Sequence, residues 1–133
     1  MKNLLFTLAL LVSFNSFGQT AEDYIDRAES KYDAGDFYGA IADYTKVIEL
    51  EPSESSEIYL EIGIIKDELN DQYGAIADFS KAIELDPNYA DAFLLRGLSK
   101  YELGDTRGCC SDFIKASKLG NKYATDLYSK LCK

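Results

Sequence analysis

The chain repeats itself with a period of 34 or 35 residues, and this periodicity restricts its possible folds more than any other feature. The best-preserved segment reads GAIADY at residues 39–44, GAIADF at residues 74–79 and, more loosely, GCCSDF at residues 108–113. In this register the repeats span residues 21–54, 56–89 and 90–123, with Ser55 as one inserted residue. Repeats of this length form arrays in which each unit packs against its neighbours, so we predict a stacked array.

Each repeat contains two stretches of helical pattern separated by a short break. The breaks fall at Gly35-Asp36, Asn70-Asp71 and Gly104-Asp105. Glycine and asparagine tolerate the left-handed conformation that ends a helix, and the aspartate that follows can cap the next helix. Pro52 and Pro87 end the second helices of the first two repeats, because proline cannot continue the hydrogen-bond ladder. The chain is therefore predicted to be all-α.

The repeats resemble the tetratricopeptide repeat family over residues 21–123. Each has an aromatic residue early in its first helix and a small residue four positions later, followed by an Ala-x-x-x-aromatic pattern in the second helix and a closing proline. The aromatic and small positions hold Tyr24 and Ala28, Tyr59 and Gly63, and Phe93 and Gly97. The resemblance implies an α-solenoid of three helix-turn-helix repeats, closed by a capping helix at residues 122–132.

The repeats also depart from the family pattern. The leucine usual before the small residue is replaced in two repeats by Arg27 and Arg96, and in the second by Ile62. The usual aromatic residue three positions after the small one is replaced by Lys31, Lys66 and Lys100, and Asn121 stands where the third proline belongs. We predict internal ion pairs between these cations and the repeated aspartates Asp43, Asp78 and Asp112.

In this family the first helix of each repeat lines a concave groove that can bind a ligand. The family's groove positions, carried over to this chain, hold Ile25, Glu29, Tyr32, Leu60, Ile64, Asp67, Leu94, Leu98 and Tyr101. An apolar stripe bordered by carboxylates and two tyrosines favours a basic, partly apolar peptide or protein segment, since exposed apolar area usually marks an interaction site. The alternative is that these are ordinary surface residues of an acidic protein.

The composition argues against catalysis and against nucleic acid as a partner. The 133 residues include 23 Asp plus Glu, 14 Lys plus Arg and no His, which gives a formal net charge of -9. This charge repels nucleic acid and anionic membrane surfaces, and the missing histidines remove the commonest general base and metal ligand. Three cysteines without CxxC spacing are a weak metal signal. We expect no catalytic residue, no metal and no cofactor.

The first 18 residues have the order of a signal peptide. Lys2 is followed by an apolar run from residue 4 to residue 12 and then by small and polar residues, with Ser16 and Gly18 at the positions that a signal peptidase reads. Cleavage after Gly18 leaves residues 19–133 as the repeat domain. We expect an exported protein, periplasmic or secreted, that does not insert into a membrane once the signal is removed. The alternative is a buried N-terminal helix.

The cysteines predict one disulfide bond in the last repeat. Cys109 occupies the position of Ala40 and Ala75, which suits a small core residue. Cys110 replaces an isoleucine that faces the following helix in a stacked solenoid, and in the last repeat that helix is the cap, which carries Cys132. Export to an oxidising compartment favours a Cys110–Cys132 bond. Three free buried thiols remain the alternative.

These features favour a non-catalytic protein–protein interaction module, a scaffold or adaptor that binds a peptide or protein segment in the concave groove. Two alternatives are a structural subunit of a cell-envelope assembly and a secreted folding helper. Members of the family that bind chaperone tails hold a C-terminal carboxylate with Lys and Asn in the groove. The groove positions here offer neither residue, which argues against that class of partner.

Overall fold

The structure, a computed structural model, describes residues 19–133. Within this range every regular element is helical, as predicted, and a 3-10 turn at Pro52–Glu54 joins the first two repeats. The helices are α1 (Ala21–Asp33), α2 (Phe37–Leu50), α3 (Ser56–Glu68), α4 (Gln72–Leu85), α5 (Ala90–Glu102), α6 (Thr106–Lys118) and α7 (Lys122–Leu131). The predicted signal peptide, residues 1–18, lies outside the described residues. None of the described helices combines the length and apolar character needed to span a membrane.

The breaks inside the repeats have the predicted geometry. Gly35, Asn70 and Gly104 have φ angles of 79°, 59° and 80°, in the left-handed region that ends a helix. The next residue in each case, an aspartate, accepts a hydrogen bond from the backbone N–H three positions later, at 2.9 to 3.0 Å. The second helices of the first two repeats end at Leu50 and Leu85, two residues before the prolines.

The chain divides into two compact units after Leu50. The described part of the first unit is one helical hairpin, α1 and α2. Ala28 and Ala40 are completely buried between these helices and Tyr44 is nearly so, because small side chains allow two helices to approach closely.

The second unit contains α3 to α7, and each helix packs against the next one along the chain. Phe79 and Phe113 fill the space beside the small residues of the first helices. A Cβ atom at Gly63 would lie 2.6 Å from Phe79 Cε1, and one at Gly97 would lie 2.7 Å from Phe113 Cε1. These positions therefore need glycine for packing.

The last helix, α7, closes the second unit. Its Ala124 is completely buried in an apolar cluster with Phe93 and Ala116. At its start, the side chain of Asn121 accepts a hydrogen bond from the N–H of Ala124 and donates one to Asp91 Oδ1, both at 2.9 Å. Asparagine in place of the usual proline thus caps α7 and ties it to α5.

Candidate binding face

The repeated aspartates of the second helices form the predicted ion pairs. In the first unit Asp43 lies 2.6 Å from Arg27 Nη2 and 2.8 Å from Lys31 Nζ. Hydrogen bonds from Arg27 and then Lys31 lower the pKa of Asp43 from 3.8 to about 2, against a burial effect that acts in the opposite direction. This carboxylate is only 3% exposed and stays charged at neutral pH.

The second and third repeats have the same arrangement with one difference. Asp112 lies 2.7 Å from Arg96 Nη2 and 2.9 Å from Lys100 Nζ. In the second repeat isoleucine replaces the arginine, and Asp78 Oδ2 lies 2.6 Å from Lys66 Nζ in an ion pair that lacks hydrogen-bond geometry. Asp78 thus has one cationic partner, whereas Asp43 and Asp112 each have two.

These pairs determine the charge of the first helices. The basic residues of α1, α3 and α5 are Arg27, Lys31, Lys66, Arg96 and Lys100. All five pair with the repeated aspartates of second helices, so their positive charges are compensated inside each repeat. The other side of each first helix has carboxylates and no basic residue of its own.

The first helices of the second unit, α3 and α5, lie side by side. Ser99 on α5 is nearly completely buried, and its hydroxyl donates a 3.0 Å hydrogen bond to Asp67 Oδ1 on α3. We use the term α3–α5 face for the surface that carries Glu57, Ile64, Asp67, Glu68, Asp91, Leu98, Tyr101 and Glu102.

One carboxylate cluster lies at the C-terminal ends of α3 and α5. Burial, together with the charges of Glu102 and Glu68, raises the pKa of Asp67, while the hydrogen bond from Ser99 opposes this rise. Glu102 Oε2 also accepts a 2.9 Å hydrogen bond from Gln72 at the start of α4. Burial and, to a smaller extent, the neighbouring carboxylates therefore disfavour the charged form of Asp67.

A second cluster lies at the N-terminal ends of the same helices, around Tyr89. Burial raises the pKa of this phenol, and four nearby carboxylates, on Glu57, Asp91, Glu61 and Asp86, raise it further. The α3–α5 face therefore has negative potential at both ends. Ile64 and Leu98, both half-buried, belong to the stretch between them.

The predicted aliphatic stripe needs correction at Leu60. This side chain was expected to be exposed in the groove, but it is 7% exposed and belongs to an apolar cluster with Phe79 and Ala92. The cluster combines side chains of α3, α4 and α5, so Leu60 is a core residue that leaves little surface for a ligand.

The other predicted groove residues of the second unit are more accessible. Ile64 and Leu94 are half-buried and pack against the apolar clusters, while Leu98 and Asp67 are half-buried on the face. Tyr101 is 48% exposed. The accessible part of the face is therefore more acidic and aromatic, and less aliphatic, than the sequence indicated.

The three predicted groove residues of the first unit all lie on α1. Glu29 is exposed and Ile25 is half-buried. Tyr32 is half-buried, and its ring lies against that of Phe37 with the centroids 5.5 Å apart. A binding role for these residues stays a prediction.

Two participants in the α3–α5 face, Ser99 and Tyr89, were not among the predicted residues. Ser99 aligns with Ser30 in the first repeat and with the buried Ile65 in the second, so the alignment gave no consistent signal of polarity or burial. Tyr89 lies between α4 and α5, and repeat periodicity alone does not reveal its acidic surroundings.

The predicted disulfide bond between Cys110 and Cys132 is present, with the Cα atoms 5.7 Å apart. Cys109 is free and completely buried, as expected for a small core residue. The sulfur atoms of all three cysteines lie within 4.8 Å of one another. The spacing of the cysteines along the chain did not predict this cluster.

Comparison with known proteins supports the repeat assignment. A family model described as TPR repeat matches residues 68–104. No curated protein sequence matches the chain significantly.

Solved structures with the same fold include several TPR domains. The second TPR domain of human RPAP3, in complex with the HSP70 peptide SGPTIEEVD, is 28% identical with a TM-score of 0.75, covering 85% of this chain and 95% of that one. The Arabidopsis OM64 TPR domain is 26% identical with a TM-score of 0.74, covering 84% and 93%. The first TPR of Spaghetti, bound to the HSP90 peptide SRMEEVD, is 21% identical with a TM-score of 0.76, covering 84% and 90%.

Proposed function

We propose, from the premise that the chain is a tetratricopeptide repeat protein, that it is a non-catalytic adaptor whose α3–α5 face binds a basic, partly apolar segment of another protein. The two acidic ends of the face bind cationic side chains of the partner. Ile64, Leu98 and Tyr101 contact its apolar part.

One observation carries this proposal: every basic side chain of α3 and α5 pairs with an aspartate of a second helix. The cations of α3 and α5 are thus engaged elsewhere and are not paired with Glu57, Asp67, Asp91 or Glu102 on the face. Burial chiefly raises the pKa of Asp67, and repulsion from Glu102 and Glu68 adds to the rise. A cationic partner relieves that repulsion, so binding gains from charges that are unfavourable in the free protein.

The charge of the partner differs from that of the peptides in the related structures. The peptides named with the RPAP3 and Spaghetti domains, SGPTIEEVD and SRMEEVD, share the acidic ending EEVD. A segment of that kind would place carboxylates against the carboxylates of the α3–α5 face. Like charges in contact are unfavourable, so the present chain should prefer the opposite charge.

Export is a second part of the proposal, and it rests on the N-terminal sequence alone. Residues 1–18 have the charged, apolar and small-residue order of a signal peptide. In an oxidising compartment the Cys110–Cys132 bond would persist. Intact mass of the protein isolated from its native cells tests this: we expect a chain beginning at Gln19, and a chain that still begins at Met1 would contradict export.

The binding proposal is tested with synthetic peptides of alternating Lys and Leu and matched peptides of alternating Glu and Leu. Fluorescence anisotropy should detect binding of the Lys peptide only, and the affinity should fall as salt is raised, because exposed charges are screened beyond about 10 Å at 0.1 M ionic strength. The face variant Glu57→Gln/Asp67→Asn/Glu102→Gln should bind about 3- to 150-fold more weakly, since each lost surface pair contributes about 0.2 to 1 kcal/mol.

A control variant separates the face from the overall charge. Glu49→Gln/Glu54→Gln/Glu84→Gln removes the same number of charges from exposed positions outside the first helices. It should bind the Lys peptide as the wild type does. Equal weakening in both variants would mean that net charge, and not the α3–α5 face, attracts the peptide.

A further inference from the structure

We propose that Cys109, Cys110 and Cys132 form a site for one Cu(I) ion when the Cys110–Cys132 disulfide bond is reduced. The site lies where α6 meets the end of α7. It is separate from the α3–α5 face, and its function does not depend on peptide binding there.

The positions of the sulfur atoms support the site. Cys109 Sγ lies 3.9 Å from Cys110 Sγ, and all three sulfurs lie within 4.8 Å of one another. Metal–sulfur bonds of about 2.3 Å place three sulfurs around one ion about 4 Å apart. After reduction the Cys110 and Cys132 sulfurs must separate to take their places around the ion, and both belong to side chains that are half-buried rather than enclosed.

The donor set indicates which metal would bind. The cluster contains three cysteine sulfurs and no histidine or carboxylate among the described residues. Thiolates select soft ions such as Cu(I), whereas Zn²⁺ in structural sites takes four protein ligands. A three-sulfur site without a fourth ligand therefore suits Cu(I).

The fold explains why the third sulfur is present. Cys109 is completely buried, and its thiol donates to the backbone oxygen of Thr106 at 3.1 Å. The corresponding residues in the other repeats, Ala40 and Ala75, are also completely buried, so alanine satisfies the packing at this position. The thiol of Cys109 is not needed for packing and adds a metal ligand beside the disulfide.

Reduction opens the site in a balanced step. A dithiol reductant gives two electrons and two protons to the Cys110–Cys132 bond, which becomes two thiols while the reductant becomes a disulfide. Cu(I) then replaces thiol protons, which pass to solvent, and no electron moves in the binding step. The oxidised chain keeps only the Cys109 thiol and has no site.

The test is a Cu(I) titration of the full chain without oxygen, in competition with a coloured Cu(I) chelator. After reduction and removal of the dithiol, wild type should bind one Cu(I) per chain, and X-ray absorption should show three sulfur neighbours. The oxidised chain should bind none. Cys109→Ala should keep the disulfide and the fold but bind Cu(I) over about 100-fold more weakly. Loss of a residue that only hydrogen-bonds to a metal ligand typically lowers metal affinity by about 10- to 100-fold, so a larger loss indicates a direct ligand.

Three results of the titration itself would overturn the proposal, and a fourth comes from circular dichroism. These are no Cu(I) binding by the reduced wild type, equal affinity in Cys109→Ala, and a Cu(I) ion with only two sulfur neighbours. Circular dichroism of the reduced chain accompanies the titration. If reduction frays α7 and Cu(I) does not restore its helicity, the three thiols are not held together and the proposal also fails.

Discussion

At the scale of single residues, the most regular feature of this protein is the ion pair between a cation of the first helix and an aspartate of the second helix in each repeat. Arg27 and Lys31 hold Asp43 in the same way that Arg96 and Lys100 hold Asp112. Each aspartate is almost fully buried while its partners are more exposed, so the carboxylate depends on them for charge compensation.

Replacing Asp43 by Asn should destabilise the protein at neutral pH by about 1 to 2 kcal/mol, because charge-assisted hydrogen bonds are lost while the half-exposed Arg27 stays solvated. Since folding lowers the pKa of Asp43 to about 2, its stabilising effect is complete above about pH 4 and disappears as the pH falls towards 2. Urea unfolding followed by circular dichroism at several pH values measures this.

Asp26→Asn is the matched control for this prediction, since Asp26 is an exposed aspartate on the same helix as Arg27. Its effect on the free energy of unfolding should be small, as for most exposed substitutions. A deficit in Asp43→Asn that is equally large at pH 7 and at pH 2 would show that the ionised carboxylate is not what stabilises the hairpin.

Some residue contacts could be predicted from the sequence and others could not. The ion pairs followed from lysines and arginines standing at apolar positions of the repeat. Leu60 was placed wrongly, because periodicity assigns a residue to a side of its helix but does not show how closely the next helix packs there. Leu60 belongs to a buried cluster with Phe79 and Ala92, and this packing does not follow from the repeat period.

At the scale of elements, α7 is held to the unit by one disulfide bond, a small apolar cluster and the hydrogen bond from Asn121 to Asp91. The bond was predictable because the repeat register assigns Cys110 to the surface that faces the following helix. The proximity of Cys109 was not predictable in this way, since adjacent helical residues point about 100° apart and only the local geometry brings the sulfurs within 3.9 Å.

Removing the bond with Cys110→Ser/Cys132→Ser should lower the free energy of unfolding by about 3 kcal/mol, the chain-entropy value for residues separated by 22 positions. The amides of α7 should lose hydrogen-exchange protection first. Cys109→Ala, which keeps the bond, should retain that protection. Unchanged exchange of α7 in the double variant would mean that the apolar cluster around Ala124 suffices to hold the helix.

At the scale of the whole molecule, charge is distributed unevenly along the second unit. Residues 51–105 contain 13 Asp or Glu and four Lys or Arg, whereas residues 106–133 contain two and six. The negative charge of this unit therefore comes from the segment that contains α3 and α5. The sequence gives the net charge of the segment. Only the structure shows which aspartates the cations of α3 and α5 pair with.

A surface that serves binding is seldom optimised for stability, so neutralising carboxylates of the α3–α5 face should stabilise the folded protein. The face variant Glu57→Gln/Asp67→Asn/Glu102→Gln should therefore raise the free energy of unfolding at pH 7 by about 1 kcal/mol, since like charges on neighbouring positions cost a few tenths of a kcal/mol per pair. The new amides can still accept the hydrogen bonds now made by Ser99 and Gln72.

The pH dependence of this gain identifies its origin. Folding raises the pKa of Asp67, so its charge opposes folding at neutral pH and the penalty disappears as the carboxyl becomes protonated in acid. The advantage of the face variant in urea unfolding should accordingly shrink as the pH falls towards the ordinary carboxyl pKa of about 4, in the opposite direction to the contribution of Asp43. The control variant Glu49→Gln/Glu54→Gln/Glu84→Gln breaks two exposed ion pairs, with Lys46 and Lys81, and its free energy of unfolding should not rise.

A face variant less stable than wild type at pH 7 would show that these carboxylates support the fold. Its loss of peptide binding would then no longer identify the α3–α5 face as the binding site.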